Sequence, residues 1–380
     1  MRSRLLCAAL VVFGVGCGRI SRPKGGGPGA GGGMDPAVKD KDCTATDPDG
    51  DQDLDGYTPA QGDCNDCNRA INPGAIQIAN DPVDYACNGM PGVVESACDL
   101  AVAGMRDATA LAAAFDQCDP RFFKGAQLVG PSDKRARKAV PKFGVIHARY
   151  GKGMALLSSG TAADKSDPNY LNDEKNNPGT DFGDNNVYAN PLPDLPASPD
   201  CSSTQPAEVN DYTELVVKLK APSNANSFSF DFQFFSAEYP EFVCTEYNDE
   251  FLVLQESANE FAMPTNIAFD MQKNPVTINN GFFTVCTNDN SKKQTQHCTM
   301  PVSGINGTGF EDPVGGFGGG TPGGSTGWLT TTSPVTPGEE VTLHYIIFDE
   351  GDHILDSSVL IDNFQWSAES VNVPVTVPIQ

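Results

Sequence analysis

Basic residues are scarce in this chain. Lys and Arg number 25 against 49 Asp and Glu, giving a net charge of −24 over 380 residues. A surface of that sign repels phosphate backbones and argues against nucleic acid as a partner. Histidine is rarer still: His147, His297, His344 and His353 are the only four, and their spacing is not that of metal ligands. No H-E-x-x-H occurs, so zinc-peptidase chemistry has no ligand set. Cys64-x-x-Cys67 has no second C-x-x-C to complete a zinc site. Beyond the N-terminus no apolar run is long enough to cross a bilayer. The single G-x-S-x-G, Gly323 to Gly327, sits in a glycine-rich loop and lacks the apolar strand and following helix of a nucleophile elbow.

Glycine (39) and proline (29) are plentiful, as in a loop-rich β protein. Twelve cysteines are present, and setting Cys7 and Cys17 aside with the N-terminal run leaves ten, an even number scattered at loop-like positions. That is disulfide usage in an oxidising compartment. Residues 1–17 read as an export signal, with Arg2 and Arg4 before an apolar stretch that ends Gly14-Val15-Gly16-Cys17. The ending resembles a lipoprotein signal and makes Cys17 a candidate lipidation site; ordinary cleavage nearby is the alternative. Residues 18–41 form a Gly-rich tether that cannot pack. The expected location is the outer membrane or cell surface, or the secreted fraction, with the membrane reached only through the anchor.

Acids alternate at Asp47, Asp49, Asp51, Asp53 and Asp55, with Gly56 after the last. Carboxylates this close repel one another and add nothing to a core. A hard cation relieves the repulsion, and Ca²⁺ takes its oxygen ligands from flexible loops. Asp51-x-Asp53-x-Asp55-Gly56 fits the first half of a calcium loop. The second half departs from an EF-hand: position twelve is Gly62, and Asp63 and Asp66 follow instead. A solvated acidic linker is the other reading of the same residues.

The blocks around this loop are D-x-D-x-D-G-Y-T at residues 51–58, G-D-C-N-D at 62–66, N-P-G-A at 72–75 and D-Y-A-C-N-G at 84–89. In that order they resemble the MopE-like metal-binding motif of exported bacterial proteins. The resemblance implies Asp51, Asp53, Asp55, Asp63 and Asp66 as calcium ligands, Tyr57 as a further candidate position, and a Cys64–Cys87 disulfide. Asn65 and Gln77 stand where relatives commonly carry acids, which lowers the ligand charge.

Residues 91–142 read as a helical segment and connector. Leu100, Val102, Ala103, Leu111, Ala114 and Phe115 give an apolar stripe that predicts a helix over 99–115. Cys98 and Cys118 bracket it and pair with each other or with neighbours. The basic run 134–138 reads as a solvated loop. From residue 143 the pattern is of strands: 214–219, 227–235, 250–255, 281–286, 340–348 and 358–366, the second alternating Phe with small or polar residues. The predicted fold is mainly β, an antiparallel sandwich or jelly roll over 143–368, preceded by a small disulfide-linked calcium module over 42–90 and the helical segment, with a tail at 369–380.

Within that span, Leu157 to Gly160, Glu238-Tyr239-Pro240, Asn248-Asp249 and the closing stretch Asp352 to Phe364 resemble the signature of choice-of-anchor L domains. The resemblance implies surface display in bacteria and no particular activity.

Glu238, Asn248, Asp249 and Asp362 form a candidate second site. Asn248-Asp249 opens a strand expected to pair antiparallel with the Phe-rich one, and Asp362 interrupts an apolar closing strand. Either a hard cation binds them or each caps its own turn. Cys286–Cys298 is expected from short spacing and Cys201–Cys244 as a long-range pair; Cys43, Cys67, Cys98 and Cys118 have no assigned partners. The expected function is non-catalytic binding or adhesion to an extracellular ligand, glycan or protein, with structural Ca²⁺. A carbohydrate-binding module and an extracellular glycosidase-like hydrolase are the alternatives. A binder needs exposed aromatic or polar groups on the sandwich; a hydrolase needs two acids, or an acid and a His, converging in a deep cleft.

Overall fold

The computed structural model describes residues 47–94, 98, 101–130, 134–170, 187–192, 201, 206–279, 281–289, 294, 297–313, 321–351 and 353–379. The export signal with Cys17, the tether, Cys43, Asp352 and residues 314–320 lie outside them.

Ten principal strands and one helix carry the fold: α1 Ala108–Ala114, β1 Phe123–Val129, β2 Arg137–Val140, β3 Met154–Ser158, β4 Glu208–Lys220, β5 Ser227–Ser236, β6 Glu250–Ser257, β7 Leu329–Pro334, β8 Glu340–Asp349, β9 Ser357–Ser367 and β10 Val375–Pro378. One sheet runs β1-β4-β8-β6, extended by the short strand Thr265–Asn266. The other has β5 between β9 and the pair Gly324–Ser325 and β7, then β3 and β2 beyond β9. Every ladder between the principal strands is antiparallel.

The two sheets pack face to face because the alternation in β5 puts Phe228, Phe230, Phe232 and Phe234 on one side, all fully buried. Burying each ring contributes roughly 1.5–3 kcal/mol relative to exposure. Phe230 meets Tyr345 of β8 edge-on at 5.4 Å, and Phe232 meets Phe251 of β6 at 5.1 Å. The facing columns are Leu215, Val217 and Leu219 of β4 and Val253 of β6, while Val359 and Ile361 of the neighbouring β9 fill the same core from the β5 side. Phe235 points the other way, into a second cluster with Phe143 and Phe310.

Several sequence expectations change here. The strand after Asn248-Asp249 does not pair with β5; it is β6, in the opposite sheet, and the intervening turn crosses the sandwich. The helix is confined to Ala108–Ala114, because Gly104 takes a positive φ of 84° and the Asp107 carboxylate caps the helix by accepting from the Ala110 N–H. Val102 and Ala103, ahead of it, lie in loop and turn, and Leu100 lies outside the described residues. The basic run is no solvated loop: its last two residues begin β2, which pairs with β3, and Ala136 is fully buried. The strand expected at 281–286 shrinks to Val285–Cys286. β1 and β2 extend the sandwich N-terminally, and β10 in the expected tail pairs with β7.

The disulfides Cys64–Cys87, Cys98–Cys118, Cys201–Cys244 and Cys286–Cys298 have Cα separations of 5.6, 6.0, 4.9 and 5.3 Å. Cys67 is also disulfide-bonded.

Candidate functional site

The acidic module is held by polar contacts around a minimal core of Ile71, Ala75 and Tyr85. Its loop is wound by its own carboxylates. Asp51 accepts from the N–H groups of Leu54, Asp55 and Gly56, Asp55 from Tyr57 N–H, and Asp63 from Asn65 N–H. Gly56 closes the turn at a φ of 95°. This winding draws the acids together. Asp51, Asp53 and Asp66 have ligand oxygens within 4.8 Å of one another, as do Asp53, Asp55 and Asp63. Among the described residues no other group of three acids, histidines or cysteines is so close.

The electrostatics match the crowding. Burial, and then the charges of Asp55 and Asp63, push the Asp53 carboxyl up to about 6. Burial likewise raises Asp55 and Asp63. Oδ2 of Asp53 and Oδ2 of Asp63 are buried without a hydrogen-bond donor. The nearby cation, Arg69, spends its guanidinium on the Leu54 carbonyl at 3.1 Å. Tyr57 is placed differently: its side chain lies over Gly74, where a Cβ would come within 2.5 Å of the hydroxyl. That contact explains why one block supplies Tyr and another Gly. Gln77 donates to Asp84 and Asn88 and accepts from Tyr85 N–H, bracing the 84–89 block with bonds that a carboxylate at this position would not donate.

Asn72 couples the loop to the sandwich. Its amide donates to Asp55 Oδ2 at 2.8 Å, and its oxygen accepts from the Ser223 hydroxyl at 2.8 Å. Beside it, Asn224 accepts from Ile76 N–H and donates to the Ile76 carbonyl, both at 2.9 Å.

The second candidate site lies at the opposite end of the core, where the inward columns change from apolar to polar. Asp249 before β6, Asp349 ending β8, Glu238 after β5, Asp356 and Ser357 at the start of β9, and Ser159 after β3 form a buried layer. Asp249 Oδ2 accepts from the Ser357 hydroxyl at 2.6 Å, and Asp249 N–H donates to Glu238 at 3.3 Å. Gly160 leaves room for Asp356: a Cβ there would fall 1.3 Å from Oδ2. Burial, then the charge of Glu238, raises Asp249 well above the carboxylate range; burial, then Asp249, Asp356 and Asp211, does the same to Asp349. Asn248 and Glu250 face the other side with Glu350, which burial and then Glu250 push up to about 9. Glu238 and Asp249 meet in this layer, whereas Asn248 lies with Glu350 on the other side.

Asp362 is not part of this group. It lies opposite Asp231, five residues along β9 from Ser357, which is about 16 Å of strand. Its carboxylate is met by the backbone N–H groups of Arg149, Tyr150 and Asn363. Backbone donors, not a shared cation, compensate its burial. The layer is closed, with Asp249 and Asp356 fully buried, so it offers a glycan no access for hydrolysis. Ser325 of the G-x-S-x-G stretch accepts from Gln233 and lies in a short strand paired with β5. His344 is tied to Glu214 at 2.6 Å within the sheet.

These features define a disulfide-linked antiparallel β-sandwich with an acidic loop module docked at one end. The chain belongs to the choice-of-anchor L family, whose domain model matches residues 149–366, more than half its length. No curated protein and no solved structure matches it. Family and disulfides together suggest an extracellular or surface protein, and the family points to a non-enzymatic role. Leu157 to Gly160, Glu238-Tyr239-Pro240, Asn248-Asp249 and Asp356-Ser357, the elements that carry the family resemblance, converge on the buried acidic layer.

Proposed function

We propose that the chain is an exported surface protein whose β-sandwich serves binding or adhesion, with Ca²⁺ fastening the N-terminal module to it. The observation that carries the calcium reading is the pair of buried, donor-less oxygens on Asp53 and Asp63 inside a cluster of five acids. Leaving such oxygens bare is costly, and a hard cation supplies the missing partner. Asp51, Asp53, Asp55, Asp63 and Asp66 would hold it. Ca²⁺ on Asp55 would also fix Asn72 and hence the contact with Ser223.

Free Ca²⁺ at a hundred times its Kd should stabilise the fold by about 2.7 kcal/mol. Isothermal titration and thermal melting are expected to show binding and a Ca²⁺-dependent rise in Tm, both lost in Asp53→Ala/Asp55→Ala. An equal rise in that variant would remove the loop from the mechanism. Anchoring belongs to the same proposal and rests on Cys17 at the end of the apolar run. Mass spectrometry of the mature protein should place a lipidated N-terminus at Cys17, and Cys17→Ser should release the protein from the envelope fraction; a mature terminus elsewhere refutes the anchor.

A further inference from the structure

A cleft of about 470 Å³ separates the module from the sandwich. Its walls come from three parts of the chain: 76–79 of the module, 116–119 with Phe122 and Phe123 after α1, and 364–369 at the end of β9, with Val94, Cys98, Tyr150 and Ser229 between. The size suits a small-molecule site, as does the position at a junction between units. Its chemistry is mixed. Trp366, Phe364 and Phe123 supply aromatic surface. Trp366 is held edge-on to Phe228 at 5.9 Å and to Phe364 at 5.1 Å, so its ring is fixed before anything binds.

Polar groups line the same space. Gln117 is 4% exposed, lines the cleft, and its side-chain amide makes no hydrogen bond among the described residues. Its amide atoms are not sealed off from the cleft, so their donor and acceptor are available there to a ligand or water. Gln365 and Glu369 stand exposed at the rim. Asp119 is already engaged by the Arg121 guanidinium, with contacts of 2.6 to 3.1 Å. No Lys, Arg or His is among the described residues that line the cleft. An anion therefore finds no counter-charge. An apolar ligand would leave Gln117 and the rim unsatisfied.

From this combination we infer that the cleft binds a neutral saccharide, stacking the apolar face of a sugar ring on Trp366 and hydrogen-bonding hydroxyls to Gln117 and the rim. The inference rests on the binding role proposed above and gives that role a location and a ligand class. One wall belongs to the module, so the site is complete only while Asn72, Ser223 and Asn224 hold the module in place.

The test uses the full mature chain in Ca²⁺. A panel of immobilised neutral oligosaccharides should retain it, and the retaining sugar should change the fluorescence of Trp366 in a Trp328→Phe background. Gln117→Leu should weaken binding about tenfold, the effect of one lost buried hydrogen bond. Ala79→Phe, at an exposed wall position, should block the cleft while Tm and Ca²⁺ binding stay unchanged. Trp366→Ala should abolish binding, and the two milder variants decide the matter should it fail to fold. Retention that neither Gln117→Leu nor Ala79→Phe alters would overturn the cleft while sparing the binding role. Retention by acidic sugars alone, or by none, would overturn the ligand class; attachment of the wild type to whole cells then reports separately on the binding role.

Discussion

Gly160→Ala should cost the fold about 3 kcal/mol, the upper end for a buried group forced into filled space. The added methyl would stand 1.3 Å from Asp356 Oδ2 and 1.9 Å from its carboxyl carbon, so the two cannot coexist. Neither side yields cheaply. Ser158 and Ser159, just before Gly160, are tied by their hydroxyls to the Ser357 backbone at 2.9 to 3.4 Å. Asp356 is fully buried, and its carbonyl accepts from Ala237 N–H at 3.2 Å. Urea denaturation measures the loss. Asp356→Ala in the same chain should restore part of it, because the methyl then occupies vacated space. A single variant as stable as wild type would show that this end of the sandwich is far softer than described.

Stability should fall as pH rises from about 5 to 9, opposite to the usual behaviour of surface carboxylates. Glu350 ordinarily titrates at 4.5 and is pushed up to about 9 in the folded chain. Between those values the folded protein keeps a proton that the unfolded chain has released. The contribution is therefore complete below 4.5 and is lost as pH rises through 9, at a rate of at most about 1.4 kcal/mol per pH unit per group. Asp249 and Asp349, also raised, act in the same direction. The groups around them are Glu238, Asp356, Asp211 and Glu250, all acids, and His353 against Asp211. Chemical denaturation at pH 5.5 and 8.5 under constant Ca²⁺ gives the slope, and Glu350→Gln should flatten it. Greater stability at the higher pH, or an unchanged slope in the variant, would show that these acids are ionised in the native state.

The sandwich was legible where one face is strictly apolar. β5 declares itself by four alternating phenylalanines, and β4, β6, β8 and β9 by runs of branched residues. Partnership was not legible. β5 and β6 follow one another through a turn and look like a hairpin, but each has neighbours in a different sheet. β1 is half exposed and contains Gly125, β2 opens on two cations, and β10 buries only Thr376. None of the three displays the alternation that marks a buried face.

The acidic loop could be read from its spacing because its ligands are close in sequence. The acidic layer was only partly readable. Glu238 and Asp249 belong to recognisable elements, whereas Asp349 lies just past the predicted strand 340–348 and Asp356 sits within the closing family stretch, where nothing local names its partners. Asp362 was misplaced because an acid in an apolar strand signals burial without naming its partner, here the backbone of Arg149 and Tyr150. The cleft left no local trace, since its walls come from segments that meet only in the fold.

The strands outside residues 149–366 set a limit on how the chain can be divided. A polypeptide trimmed to that segment keeps every residue of the family signature but loses β1, β2 and β10. β4, β3 and β7 would each then show solvent a row of amides and carbonyls that now have partners. Open edges of this kind recruit other chains. The stretch that identifies the family thus ends inside the sheets, and the strands that cover its edges come from sequence on either side of it.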